Sequence, residues 1–186
     1  MHDPKRVAVL ISGRGSNMKA LVEQASGYDV VLVASNNPAA PGLAWAAEQS
    51  IPIWARDSRG VEKSDWEASL DDTLAKHGVG TIALAGFMRI LSPGFIEEWR
   101  GRVINIHPSL LPKYRGLDTH QRALEAGDQV HGCSVHIVTE ELDAGEVLGQ
   151  AEVAIEPGDT PESLEQRVLA AEHKLYPQVL SAFVRR

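Results

Sequence analysis

The sequence predicts an α/β protein: a mostly parallel sheet with helices on both faces, then an antiparallel hairpin and a long C-terminal helix. Three observations carry this. Short apolar, β-branched runs alternate with helical patterns through the first two-thirds of the chain, which is how βαβ crossovers read. The first run opens onto a glycine-rich turn, where an open α/β sheet places its ligand. After residue 128 the alternation stops, and two extended runs precede one long helical stretch. Together they predict a three-layer, Rossmann-like fold, and the 186 residues suit one domain over 1–186.

In chain order, "VAVLIS" (7–12) is the first strand, apolar throughout because both its faces are covered. "SGRGSN" (12–17) turns into a helix near Ser16 that carries Met18, Leu21 and Val22 at helical spacing. "VVLVAS" (30–35) is the second strand, "APGLAWAAEQS" (40–50) the second helix and "IPIW" (51–54) the third strand. "SDWEASLDDTLAKHG" (64–78) is a helix, with Ser64 as N-cap, Glu67 closing a capping box and Gly78 as its stop. "TIALAG" (81–86) and residues 103–107 are the fourth and fifth strands. "GCSVHIVTEEL" and "EVLGQAEVAI", joined through "DAG", form the hairpin. "TPESLEQRVLAAEHKLYPQVLSAFV" is the last helix, with Thr160 as cap and Pro161 at the first position. Ser163 stands where a capping box wants Glu or Gln, so the box is expected to be incomplete. Pro177 is expected to bend or interrupt the helix.

Composition narrows the function. Hydrophobic residues make up 44% and charged residues 23%, as in a soluble globular protein. A formal net charge of −7 argues against nucleic acid as partner, yet leaves room for a phosphorylated small molecule at one locally positive site. The single cysteine, Cys133, excludes an intrachain disulfide and reads as a small buried residue. The N-terminal apolar run is too short for a signal peptide. No stretch approaches the ~18 apolar residues of a membrane span. A cytoplasmic protein with no membrane partner is expected, as monomer or homodimer.

Two clusters point to chemistry. In "SGRGSN", Gly13 and Gly15 let the backbone come close to a ligand, and the helix start offers N–H groups and a positive dipole end to an anion. Ser16 and Asn17 add side-chain donors. A dinucleotide fingerprint would need glycine where Met18 stands and an acidic residue near Ser35-Asn36-Asn37; no Gly-Lys-Ser/Thr is present either. A single phosphate suits what remains. In "VINIHPSLLPKYRG" (103–116), Asn105 and His107 lie two apart on a strand and face the same side. An amide that donates to a developing oxyanion and an imidazole that moves protons suit a reacting carbonyl. Asp143, in the acidic turn "EELDAGEV", is the candidate carboxylate to orient that imidazole. Glu140, Glu141 and Glu146 read as solvated turn charges. Neither Ser12 nor Ser109 sits in a nucleophile elbow. The seven histidines form no zinc motif, so no metal is expected.

Taken together, "SGRGSN", "LAGFMRILSP", "NIHPSLLPKYRG", "HGCSVHIVTEELDAG" and "AAEHKLYP" resemble the glycinamide ribonucleotide formyltransferases of purine biosynthesis, over nearly the whole chain. The resemblance implies transfer of a formyl group from 10-formyltetrahydrofolate, as cosubstrate, to the amine of phosphoribosylglycinamide. It implies that Asn105, His107 and Asp143 are the catalytic set, and that Gly13, Gly15, Ser16 and Asn17 hold the substrate phosphate. Glu172 would bind ribose hydroxyls. Met88, Arg89, Ile90 and Leu91 would line the folate pocket with Asn105 and Asp143, and Arg59 would approach the folate's glutamate tail. Leu169, Asp118, Ala144 and Glu146 depart from the family's pattern as found in the bacterial enzyme.

Relatives of that family that formylate methionyl-tRNA or hydrolyse formyl-folate are expected to carry a further basic C-terminal or N-terminal regulatory domain. This chain is acidic, and its first strand begins at residue 7. A non-catalytic sensor of a phosphorylated metabolite is the alternative from another class; it would not require Asn105, His107 and Asp143 together.

Overall fold

Val7 to Ile11 are wholly buried because their strand, β1 (Arg6–Ile11), lies inside a sheet covered on both faces. The computed structural model describes residues 2–186. After β1 come α1 (Ser16–Glu23), β2 (Asp29–Ser35), α2 (Pro41–Glu48), β3 (Ile53–Ala55), α3 (Lys63–Lys76), β4 (Thr81–Leu84), α4 (Pro93–Glu98) and β5 (Val103–His107). Then follow α5 (Thr119–Glu125), β6 (Val130–Ile137), β7 (Val147–Ala154) and α6 (Pro161–Phe183). The seven strands form one sheet in the order β3-β2-β1-β4-β5-β6-β7. The first five run parallel, while β6 and β7 are antiparallel. This is the predicted class, hairpin and long helix included.

Alternation along β1 builds the layers. Val7, Val9 and Ile11 pack with Met18, Leu21, Leu164 and Tyr176 on one face. Ala8 and Leu10 pack with Trp66, Leu70 and Leu74 on the other. Neighbouring residues of a strand point to opposite sides, so one apolar run serves two cores. Among the described residues no helix is long and apolar enough to cross a membrane.

Three local expectations are corrected, and a fourth is narrowed. The third helix begins at Lys63 after Glu62, which makes no side-chain cap, so Ser64 lies inside it. Glu67 closes no capping box. Its carboxylate instead accepts from the Ser92 N–H at 2.7 Å and from the Ser92 hydroxyl, and Ser92 in turn caps α4. The capping box of α6 is complete, because the Ser163 hydroxyl accepts from the Thr160 N–H at 3.0 Å while Thr160 accepts from the Ser163 N–H. Finally, α6 runs through Pro177 to Phe183 without interruption. Proline cannot donate to the carbonyl four residues back, and the Gln24 side chain supplies that bond, donating to the His173 carbonyl at 3.0 Å. The short helices α4 and α5 were not expected.

Candidate active site

In the sheet, β1 has β2 on one side and β4 on the other. Successive crossovers therefore leave in opposite directions, opening a crevice at the carboxyl ends of the strands. The glycine turn follows β1, "GFMRIL" follows β4, and Asn105 and His107 close β5, so all three segments reach this edge.

His107 is buried. Its Nε2 lies 2.8 Å from the Tyr114 carbonyl; a carbonyl only accepts, so Nε2 carries a hydrogen. Its Nδ1 faces Asp143 Oδ2 at 3.4 Å. Asp143 has a left-handed backbone, φ +50°, which Asp tolerates better than most residues. Its carboxylate is 8% exposed, and the Gly116 N–H donates to Oδ2 at 2.9 Å. The predicted trio is thus assembled from β5 and the turn between β6 and β7, with Asn105 one strand position before Ile106 and facing the same side as His107.

The structure adds a residue that the sequence reading missed. Asn105 pairs across the antiparallel β5–β6 ladder with His136. The Asn105 Nδ2 lies 3.2 Å from His136 Nε2, and His136 Nδ1 lies 3.0 Å from the Ile137 carbonyl. His136 Nε2 also faces Asp143 Oδ1 at 3.6 Å. Burial pushes the His136 pKa down, against smaller opposing effects of the Ile137 carbonyl and the Asp143 charge. Period-two alternation puts His136 on a definite face of its strand. Only the β5–β6 register, which sequence does not carry, puts it beside Asn105.

The candidate anion cradle is the start of α1. Gly15 occupies the N-cap with φ +71°, and a Cβ there would stand 2.8 Å from the Met18 methyl, so only glycine suits it. No side chain caps this end, which leaves its first N–H groups for a ligand. Asn17 Nδ2 donates to Glu172 Oε2 at 2.7 Å. Asn17 Oδ1 is buried without a partner. Glu172 belongs to the buried stripe Leu164, Val168, Glu172, Tyr176, Leu180 of α6. Burial pushes its carboxyl up to about 7, opposed by the Asn17 hydrogen bond. Four apolar or aromatic neighbours at four-residue spacing make this one carboxylate an anomaly that the stripe itself does not require.

The segment after β4 is fixed from several sides. Ser12 accepts from the Met88 N–H at 2.8 Å and donates to Asn36 Oδ1 at 2.6 Å. Lys63 donates to the Ile90 carbonyl at 2.9 Å, and Arg89 to the Ser58 carbonyl at 3.2 Å. Leu91 is buried, whereas Met88 and Ile90 are 75% and 68% exposed. An anchored backbone that presents apolar side chains outward can pack on a flat ring. Arg59 is not joined to this cluster: it is exposed, and all its polar contacts are with Asp57, at 2.7 Å in the closest pair. Among the described residues no group of His, Cys, Asp and Glu is arranged to hold a metal.

Comparisons with known proteins identify the family. The formyl transferase family profile matches residues 5–180. The trifunctional purine biosynthetic protein adenosine-3 of Drosophila melanogaster is 47% identical over 97% of this chain, which spans 14% of that protein's length. The phosphoribosylglycinamide formyltransferase of Haemophilus influenzae is 42% identical over 96% of this chain and 87% of its own length. Solved structures of phosphoribosylglycinamide formyltransferases superpose closely. That from Coxiella burnetii has a TM-score of 0.91 at 45% identity, covering 97% of this chain and 87% of the other. That from Brucella melitensis has a TM-score of 0.92 at 45% identity, covering 97% and 96%. With the match running from the first strand to near the end of the last helix, the chain belongs to the formyl transferase family.

Proposed function

We propose that this chain transfers the formyl group of 10-formyltetrahydrofolate to the amine of phosphoribosylglycinamide, a step of purine biosynthesis, in the cytoplasm. One observation carries the proposal: His107 pairs with Asp143, with Asn105 on the same face of β5, at the sheet edge where an uncapped helix start can take a phosphate. The relatives' names support phosphoribosylglycinamide as the formyl acceptor. The anchored segment with outward Met88 and Ile90 suits the flat face of a pterin.

The folate cosubstrate supplies an electrophilic formyl carbon. The glycinamide nitrogen forms a bond to that carbon, and the bond from it to folate N10 breaks. Asn105 donates through Nδ2 to the carbonyl oxygen as it gains charge. His107, held by the Tyr114 carbonyl on one nitrogen, turns the other toward Asp143. Protonated, it adds positive charge beside the oxyanion, and with Asp143 it passes the amine's proton, through water, to the departing nitrogen. Asp143 orients the ring. Gly13, Gly15, Ser16 and Asn17 hold the phosphate, and Glu172 takes the ribose hydroxyls. Met88, Arg89, Ile90 and Leu91 hold the pterin. Arg59 reaches the folate's glutamate tail only by leaving Asp57.

The test is formyl transfer by the purified chain given both substrates, followed by release of tetrahydrofolate. Formylated product is expected, and binding of phosphoribosylglycinamide without transfer would instead indicate a sensor. Removing one oxyanion donor costs about 10²–10³ in turnover, so Asn105→Ala is expected to lose that much while melting normally. Near-full turnover in that variant removes Asn105 from the mechanism.

A further inference from the structure

We propose that His136 is a positioning residue for formyl transfer: as a neutral imidazole it holds the Asn105 amide with its NH2 group, not its oxygen, available to the reacting carbonyl. The inference rests on the transfer reading above and adds a fourth side chain to its machinery.

Ring chemistry fixes the orientation. The Ile137 carbonyl can only accept, so His136 Nδ1, 3.0 Å away, carries a hydrogen. His136 is 2% exposed. Burial opposes a second proton, so Nε2 keeps its lone pair. A lone pair requires a donor, and the group 3.2 Å from it is the Asn105 amide. Only the Nδ2 side satisfies Nε2, since the flipped amide would set oxygen against nitrogen lone pairs. One Nδ2 hydrogen then goes to His136, and the second is left for the substrate. An amide presenting Oδ1 there would repel the forming oxyanion.

The fold supports this placement. Asn105 and His136 are direct cross-strand partners, which fixes the approach of the two side chains. The β6–β7 register shifts between Val135 and His136, and such bulges re-aim a side chain next to a site. The charged and titratable groups facing His136 are Asp143, from the turn after β6, and His107, on β5. A proton on His136 Nε2 would turn to Asp143 Oδ1, 3.6 Å away, and release or reverse the amide.

His136→Phe keeps a ring and removes the acceptor, while His136→Gln restores an acceptor oxygen. Since the effect is bounded by one oxyanion donor, His136→Phe is expected to lower kcat about 10- to 100-fold, with KM for both substrates nearly unchanged. His136→Gln should recover part of the loss. In an Asn105→Ala background, His136→Phe should cost almost nothing more. Unchanged kcat, or a loss that adds in full to that of Asn105→Ala, overturns the proposal. A second measurement needs no variant and no turnover: the ring 15N shifts of His136 in the unmodified protein at neutral pH. A hydrogen on Nδ1 and a bare Nε2 are expected; the opposite tautomer, or an imidazolium, overturns it. Lack of formyl transfer by the unmodified chain would sink the proposed function instead, and leave the tautomer result standing on its own.

Discussion

At the scale of single residues, the site separates into what a strand pattern displays and what only register or a remote turn supplies. Asn105 and His107 are legible because two polar residues interrupt a buried strand at period two. The glycines of the first turn are legible because the turn follows the first strand. Asp143 is legible as an acidic turn residue, but its distance to His107 is set by how the hairpin returns to β5. His136 reads only as part of a strand, because nothing local says which residue it will face. For Asp143→Asn the backbone is expected to persist, since asparagine also tolerates φ +50°. The lost charge removes the partner of His107 Nδ1, so kcat should fall by about 10²-fold, the usual worth of a positioned acid–base group. Steady-state rates beside a melting curve check this, and full activity would show that Asp143 does not serve His107.

Among the elements, the regular ones were readable and the short ones were not. β5 appears with its predicted bounds, and α6 has its predicted cap and first-position proline. α4 and α5 have six and seven residues, fewer than two turns, so no hydrophobic period can build up in them. Ser92-Pro93 did carry a start signal, an N-cap before a proline at the first position. α5 starts instead from Asp118 in the left-handed region, with no side-chain cap. The capping box of α6 shows that a serine hydroxyl can do what the longer Glu or Gln does. Thr160→Ala should cost about 1 kcal/mol, read as a lower midpoint in urea with an unchanged slope. Gly132 allows no such latitude: a Cβ there would stand 2.0 Å from the Ala151 carbonyl across the hairpin. Gly132→Ala must spread β6 from β7, and is expected to destabilise the fold by several times the cost of the lost cap.

For the whole molecule, buried titratable groups set how stability follows pH, and they oppose one another. Burial depresses the pKa of His131, to about 4, and also those of His120, His136 and His173. Their contribution is complete above the unfolded histidine value and is withdrawn as pH falls through each lowered value, which for His131 is about 4. Glu172, raised to about 7, works the other way: its contribution is complete below the unfolded carboxyl value and is lost as pH rises through about 7. Glu172→Gln removes this second effect while keeping an acceptor for Asn17. Its stability should exceed that of the unmodified protein at pH 8 by up to about 3 kcal/mol, and the difference should vanish near pH 4.5. Denaturation series at the two pH values check the sign; equal stability at pH 8 would mean that the buried carboxyl is not strained. A ribose-binding carboxylate held in an apolar stripe would thus be kept at a cost to the fold.

The bond from Gln24 to the His173 carbonyl mends a proline gap, and it also joins two helices. Gln24 is the C-cap of α1, the helix that begins at the candidate cradle, and His173 follows Glu172 directly. The Asn17–Glu172 bond ties the same helices nearer the cradle. Two rivets on one seam couple α1 to α6, so under the proposed function the walls that would face sugar and phosphate shift only together, as a mould already set to the span of a ribonucleotide.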